Sequence, residues 1–204
     1  MTKAAYSRYH PGKFGLTIDW ETSGSDFDGD STKKYQGIAF GAIIFNTETF
    51  EEVESLYCEM QFDETKYQWS DEAEKIHGLT REHLATQMTR EDALAALLDL
   101  ILRYIGADSK IFFLGHNVDF DIDFTFQLAN DFGVQLQAHH VKLETSGAGF
   151  IAMGKYRSDD VFSFFLGDAR PKVHNALSDA RMALLVVQSM RYIFDAAFEE
   201  MAHD

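Results

Sequence analysis

The stretch Phe14-Gly15-Leu16-Thr17-Ile18-Asp19-Trp20-Glu21 decides how this chain is read. Its apolar run, Phe14–Trp20, predicts a β-strand that ends on acidic residues. Tyr35–Asn46 and Val53–Phe62 predict two further strands joined by a turn near Thr47–Glu51, completing an antiparallel meander. Downstream, predicted helices alternate with one short apolar strand, Lys110–Leu114. A meander followed by such alternation predicts an α/β fold, a mixed sheet with antiparallel and parallel strands flanked by helices. Ligands of these sheets collect at the carboxyl ends of the strands. Asp19 and the segment starting at His116 both fall there.

The helices announce themselves by their caps. Ser70 predicts a helix over Ser70–His77 and Thr80 another over Thr80–Ala85. Thr89 opens a longer one, with Leu94, Leu97, Leu98, Ile101, Leu102 and Ile105 at helical spacing through to Gly106. The next runs from about Asp119 to Phe132 and stops near Gly133. Residues 134–173 carry weaker signals: helices near Gln137–Leu143 and Asp159–Phe165, with Gly147, Gly149, Gly154 and Gly167 in irregular linkers. Asn175 caps the last helix, whose buried face is Ala176, Ala180, Ala183, Leu184 and Val187. Residues 23–34 read as a loop.

Composition narrows the class. With 204 residues, 46% of them hydrophobic, and 18 Phe against 2 Pro, the chain reads as one globular domain over 1–204. The most apolar helix, Ala93–Ile105, is interrupted by Asp99 and Arg103 and cannot cross a bilayer. Lys3 is followed by no apolar leader segment. The lone Cys58 excludes an internal disulfide and reads as buried packing, which fits a reducing cytoplasm. A formal net charge of −15 argues against tight or processive duplex binding, since a duplex binder carries a basic face.

Acids cluster where chemistry is expected. Asp19 and Glu21 are two apart on a strand and share one face of the sheet, at the rim of a core. Desolvating two like charges together is costly unless a cation compensates. Asp119, Asp121 and Asp123 follow the Lys110–Leu114 strand, and spacing alone does not choose among them. One can face a site while the others cap the helix or meet solvent. Asp179 lies five residues after His174, a helix-borne acid beside a loop-borne base, although an ion pair with Arg181 is the alternative. Together, four carboxylates and an imidazole suit phosphodiester hydrolysis by two hard metal ions.

Other features read as bland. Asp26, Asp28 and Asp30 imitate a calcium loop, but Gly29 and Gly37 stand in the wrong places. The side chains of His139 and His140 should diverge. Phe162, Phe164 and Phe165 read as core. Lys142, Lys155, Arg157, Arg170 and Lys172 are either a modest phosphate-facing patch or ordinary surface.

Three segments together resemble the motifs of the DEDDh, or DnaQ-like, 3′→5′ exonucleases: Ile18-Asp19-Trp20-Glu21-Thr22-Ser23-Gly24, His116-Asn117-Val118-Asp119-Phe120-Asp121 and His174-Asn175-Ala176-Leu177-Ser178-Asp179-Ala180. His77-Gly78-Leu79-Thr80 is similar to the family's short segment between the first two. The resemblance implies a ribonuclease-H-like sheet, with Asp19, Glu21, Asp121 and Asp179 holding two Mg²⁺ or Mn²⁺ ions and His174 acting as general base. It chooses Asp121 over its neighbours. It also makes Thr22, His77, Leu79, Asn117 and Phe120 candidates for holding the terminal nucleotide. Trp20, where smaller or polar residues are common, and the acidic Ser25–Lys34 loop depart from the pattern.

The implied activity is removal of nucleoside 5′-monophosphates from free 3′ ends of single-stranded nucleic acid, DNA favoured over RNA. A cytoplasmic phage exodeoxyribonuclease fits that description. An exoribonuclease or oligoribonuclease is the runner-up, and a proofreading subunit docked on a polymerase is the reading of a different class.

Overall fold

The computed structural model describes residues 11–26, 29–167 and 175–203. A five-stranded sheet in the order β3-β2-β1-β4-β5 organises them. β1 (Phe14–Thr22), β2 (Gly37–Asn46) and β3 (Glu52–Glu59) form the antiparallel meander. β4 (Phe113–Gly115) joins β1 in parallel, and β5 (Leu143–Glu144) joins β4 in parallel. This is the mixed, helix-flanked sheet expected from the sequence.

Alternation along β1 divides the protein into two layers. Leu16, Ile18 and Trp20 enter a core shared with α4 (Arg90–Tyr104) and α5 (Val118–Asp131). On the opposite face Ile43, Phe45, Phe112 and Leu114 pack against Ala180, Ala183 and Leu184 of α8 (Ala176–His203). The short α1 (Ser31–Lys34) lies in the β1–β2 connection, and α2 (Asp71–His77) and α3 (Arg81–Leu84) lie between β3 and α4 in the chain. α6 (Thr145–Met153) and α7 (Ser158–Leu166) follow β5, and Val161 and Phe162 of α7 bury against Met182 and Val186 of α8. None of the described helices is long and apolar enough to cross a membrane.

Side-chain caps bound four helices where the sequence placed them. Ser70, Thr80 and Thr89 each accept a backbone N–H of the first turn, and Asn175 Oδ1 accepts from Ser178 N at 2.8 Å.

Several expectations need correction. Residues 137–142 form no helix. Gln137 accepts the N–H of Ile111, and His139 donates to the Ile111 carbonyl, so this segment extends the parallel edge of the sheet. Gly147 and Gly149 lie inside α6 rather than in a linker; a Cβ at Gly149 would meet Val161 Cγ2 at 2.3 Å, so α7 packs directly on its backbone. The 23–34 loop contains α1, with Asp30 as its N-cap, while Asp26 pairs with Lys34. On α4 the buried stripe runs through Leu100, and Leu102 is exposed. Phe164 is exposed as well. The rings of His139 and His140 do not diverge but lie 4.3 Å apart, because the backbone there is not regular. Cys58 is buried, and burial pushes its thiol up to about 11.

Candidate active site

The site forms where the sheet splits. β1 and β4 hold register only at Leu16–Phe113 and Thr17–Leu114, then separate. Asp121, one turn into α5, occupies the opening: its Oδ1 accepts the Trp20 backbone N–H at 3.1 Å, and its side chain is 3% exposed. The indole of Trp20 crosses to the same helix and donates to Thr125 Oγ1 at 3.0 Å, while that hydroxyl donates to the Asp121 carbonyl at 2.7 Å. Trp20 is thus a strut between β1 and α5. It stacks obliquely on Phe40 at 5.0 Å and covers Gly37, where a Cβ would stand 2.4 Å from the ring.

Asp19 and Glu21 point to the other layer, toward α8. Asp19 pairs across the sheet with Gly41, and there the first turn of α8 lies directly on the strand. A Cβ on Gly41 would meet the Leu177 backbone at 2.1 Å. That close approach lands Asp179 over β1. One oxygen each from Asp19, Glu21 and Asp179 then lies within 4.8 Å of the others. A glycine in the middle of the apolar β2 signals such an approach, but which element comes close is not written in it. Arg181, the sequence-level alternative partner of Asp179, is committed to Glu52 through two bonds of 2.8 Å.

Electrostatically these acids are unlike ordinary surface carboxylates. Burial raises the pKa of Asp19 well above the usual range, and Asp121, Asp179 and Glu21 push it further. Burial and Asp179 lift Glu21 to about 7. Burial raises Asp121 too, against the opposing bond from the Trp20 N–H, with Glu144 and Glu21 adding to the rise. Among the described residues, every charged neighbour acting on the three is another carboxylate. An all-oxygen, converging, charge-starved set of this kind fits hard divalent cations and offers nothing to a soft one.

Helix α5 separates its three acids. Asp119 faces solvent and pairs with Lys142, and Asp123 is exposed as well, its pKa raised by partial desolvation and by Asp119 and Asp30. The five nucleotide-holding candidates fall into two groups. Thr22 is buried, its hydroxyl donating to the Gly24 carbonyl at 2.9 Å. His77 closes α2 beside it: Nδ1 accepts the Leu79 N–H at 3.0 Å, and burial lowers its pKa against the pull of Glu74 and the Thr22 backbone. Asn117 and Phe120 stay with Asp121 at the start of α5, Asn117 exposed in a left-handed conformation and Phe120 packed on Phe124 at 4.8 Å. His174, the expected base, lies outside the described residues, as do Arg170 and Lys172 of the suggested basic patch. Two others of that patch are paired, Lys142 with Asp119 and Lys155 with Asp160.

A sequence model of the exonuclease family (RNase_T) matches residues 16–187, most of the chain. The chain belongs to the exonuclease family. Among solved structures, it is similar to E. coli exonuclease I in complex with a dT13 oligonucleotide: TM-score 0.69, 16% identity, over 92% of this chain and 44% of that one. The zinc-ion-bound form of the E. coli exonuclease I–ssDNA complex gives TM-score 0.65 at 14% identity, over 92% and 43%. The nuclease domain of 3′hExo, a DEDDh family member bound to rAMP, gives TM-score 0.63 at 15% identity, over 88% and 92%. The chain therefore spans less than half the length of exonuclease I and nearly all of the 3′hExo nuclease domain. Among curated proteins no match is found.

Proposed function

We propose that the protein is a 3′→5′ exonuclease acting through a single domain on free 3′ ends of single-stranded nucleic acid, DNA in preference to RNA, and releasing nucleoside 5′-monophosphates. The observation that carries this reading is the convergence of Asp19, Glu21 and Asp179 within 4.8 Å beside the buried Asp121. These four acids would hold two divalent ions, Mg²⁺ or Mn²⁺. Once bound, such ions neutralise the cluster, acidify water and stabilise the departing 3′-oxygen.

The chain's own residues do the rest. His174 takes the proton of the attacking water, a role typically worth about 10²–10⁴-fold. Asn117 and Phe120 on one side and Thr22, His77 and Leu79 on the other hold the terminal nucleotide. The net charge of −15 restricts the grip on nucleic acid to the strand end, where the bound ions offset the local acidity. The dT13 complex of a structural neighbour supports the preference for DNA, and the rAMP complex of another keeps RNA as the second reading.

A time course on 5′-labelled single-stranded DNA, matching RNA and blunt duplex, with Mg²⁺, Mn²⁺ or EDTA, tests substrate, polarity and metal need together. Ladders shortening from the 3′ end of single-stranded DNA are expected with either ion, and none in EDTA. Turnover after exhaustive chelation would remove the metal-dependent reading.

A further inference from the structure

Helix α5 begins in an unusual way. Its N-cap residue, Asn117, has φ 60° and ψ 43° and makes no side-chain capping bond. The first N–H groups of a helix have no partner within it and need one from elsewhere. Here they find it 27 residues downstream. Glu144 Oε1 accepts from Asn117 N at 2.8 Å, and Oε2 accepts from Val118 N, also at 2.8 Å. The first of these oxygens additionally caps α6, accepting from Ser146 N at 3.0 Å. The parallel register of Gly115 with Glu144 brings the carboxylate to this place. Thr145 secures the preceding residues. Its buried hydroxyl lies 2.9 Å from His116 Nδ1 and donates to the Gly115 carbonyl at 3.3 Å.

Both oxygens of Glu144 thus grip the turn from which Asn117 projects and from which Asp121 follows one helical turn later. We propose that Glu144 is a positioning residue for phosphodiester hydrolysis: its carboxylate holds the left-handed Asn117–Val118 turn and so sets where Asp121 stands against β1. The proposal rests on the exonuclease reading for its chemical consequence. Asn adopts a left-handed conformation more readily than most residues, and a two-oxygen acceptor on consecutive N–H groups holds the turn in it. Gln at this position has only one acceptor oxygen, so its amide nitrogen must face one of the N–H donors. A residue that only stabilised the fold would leave the site's geometry untouched once the protein had folded.

The test compares E144Q with D131N, a carboxylate change in an ion-paired cluster on the far end of α5. Loss of a group that orients a metal ligand typically costs about 10–100-fold in metal affinity or activity. E144Q is therefore expected to lower kcat on single-stranded DNA by about that factor, with KM little changed. Mn²⁺ half-saturation should shift upward by a similar factor. Hydrogen exchange at the Asn117 and Val118 amides should quicken. D131N should lower the melting temperature and leave kcat and Mn²⁺ affinity alone. If E144Q does not fold, E144D, one methylene shorter, takes its place under the same readouts. Wild-type kcat and Mn²⁺ affinity in a folded Glu144 variant would overturn the proposal, as would a loss confined to melting temperature. Should the wild-type protein cleave nothing, the exonuclease reading fails on its own, and Mn²⁺ affinity with amide exchange still decides the role of Glu144.

Discussion

Two groups of carboxylates, at opposite ends of α5, receive opposite treatment. At its C-terminal end Asp131 accepts from Lys66, from Arg90 and, at 2.6 Å, from the Tyr67 hydroxyl. Burial alone would raise the Asp131 pKa, but those three bonds outweigh it and hold the group below its usual value. At the N-terminal end Asp121, with Asp19 and Glu21, meets burial and more carboxylates, and the pKa values rise. An acid that serves the fold is surrounded by donors. Acids left to repel one another are held there by the scaffold, and among the described residues no positive charge acts on Asp19, Glu21 or Asp121 to offset them. On the proposed reading, the contrast separates structural from functional carboxylates better than burial does, because both groups are largely buried.

The largest expected effect breaks the chemistry and spares the fold. D121N keeps an acceptor for the Trp20 N–H and removes the charge. Cleavage should become undetectable, while the melting temperature in EDTA stays level or rises. An active D121N, with D123N inactive instead, would show that the wrong acid has been assigned.

Gly41→Ala tests whether the cluster depends on where α8 lands. The new methyl would overlap the Leu177 backbone, so the helix must shift and carry Asp179 with it. A misplacement of about 1 Å can cost about 10²-fold in rate, and that loss is expected in single-turnover cleavage, with a lowered melting temperature. Unchanged cleavage would mean that the close approach is packing without consequence.

The converse variant, D131A, should leave kcat intact. Removing one partner of a buried ion pair costs about 3–5 kcal/mol, less where solvent reaches it. Taking about 3 kcal/mol, with about 2–4 °C lost per kcal/mol in a domain of this size, the melting temperature should fall by about 6–12 °C. A kcat defect in folded D131A would dissolve the distinction between the two groups.

The smallest effect is read by varying pH, where the two groups act with opposite sign. Glu21 is raised from 4.5 to about 7, so the folded state binds more protons than the unfolded one between those values. Stability without metal should therefore fall as pH rises through that window, by on the order of 3 kcal/mol from Glu21 alone. Asp131 is lowered, so its contribution is present above the unfolded carboxylate pKa and is lost as pH falls through the folded one. Urea melts from pH 4 to 8 should show the alkaline loss in EDTA and its suppression by Mg²⁺. A flat profile in EDTA would remove the charge-starved description of the site.

Much of this was legible in the chain. The meander, the caps at Ser70, Thr80, Thr89 and Asn175, and the shared face of Asp19 and Glu21 all follow from local rules: strand alternation, helical spacing and the hydrogen-bonding reach of a short polar side chain. Local rules depend only on neighbours in sequence, so the sequence by itself determines them. The choice among Asp119, Asp121 and Asp123 does not follow, because helical spacing sets their relative directions and not which direction faces β1. The family resemblance made that choice, and its physical cause lies in Trp20, whose backbone meets Asp121 and whose indole meets Thr125 across more than a hundred residues. The segment 137–142 misled for the same reason: Ile111, distant in sequence, recruits it to the sheet edge and overrides its local preference. Neither Gly41 nor Glu144 discloses its partner in sequence. Each acquires its role through a partner brought to it by sheet register, Leu177 for one and Asn117 with Val118 for the other. Tertiary structure alone decided these, since a close approach or a cap supplied from 27 residues away is a property of two segments and is written in neither.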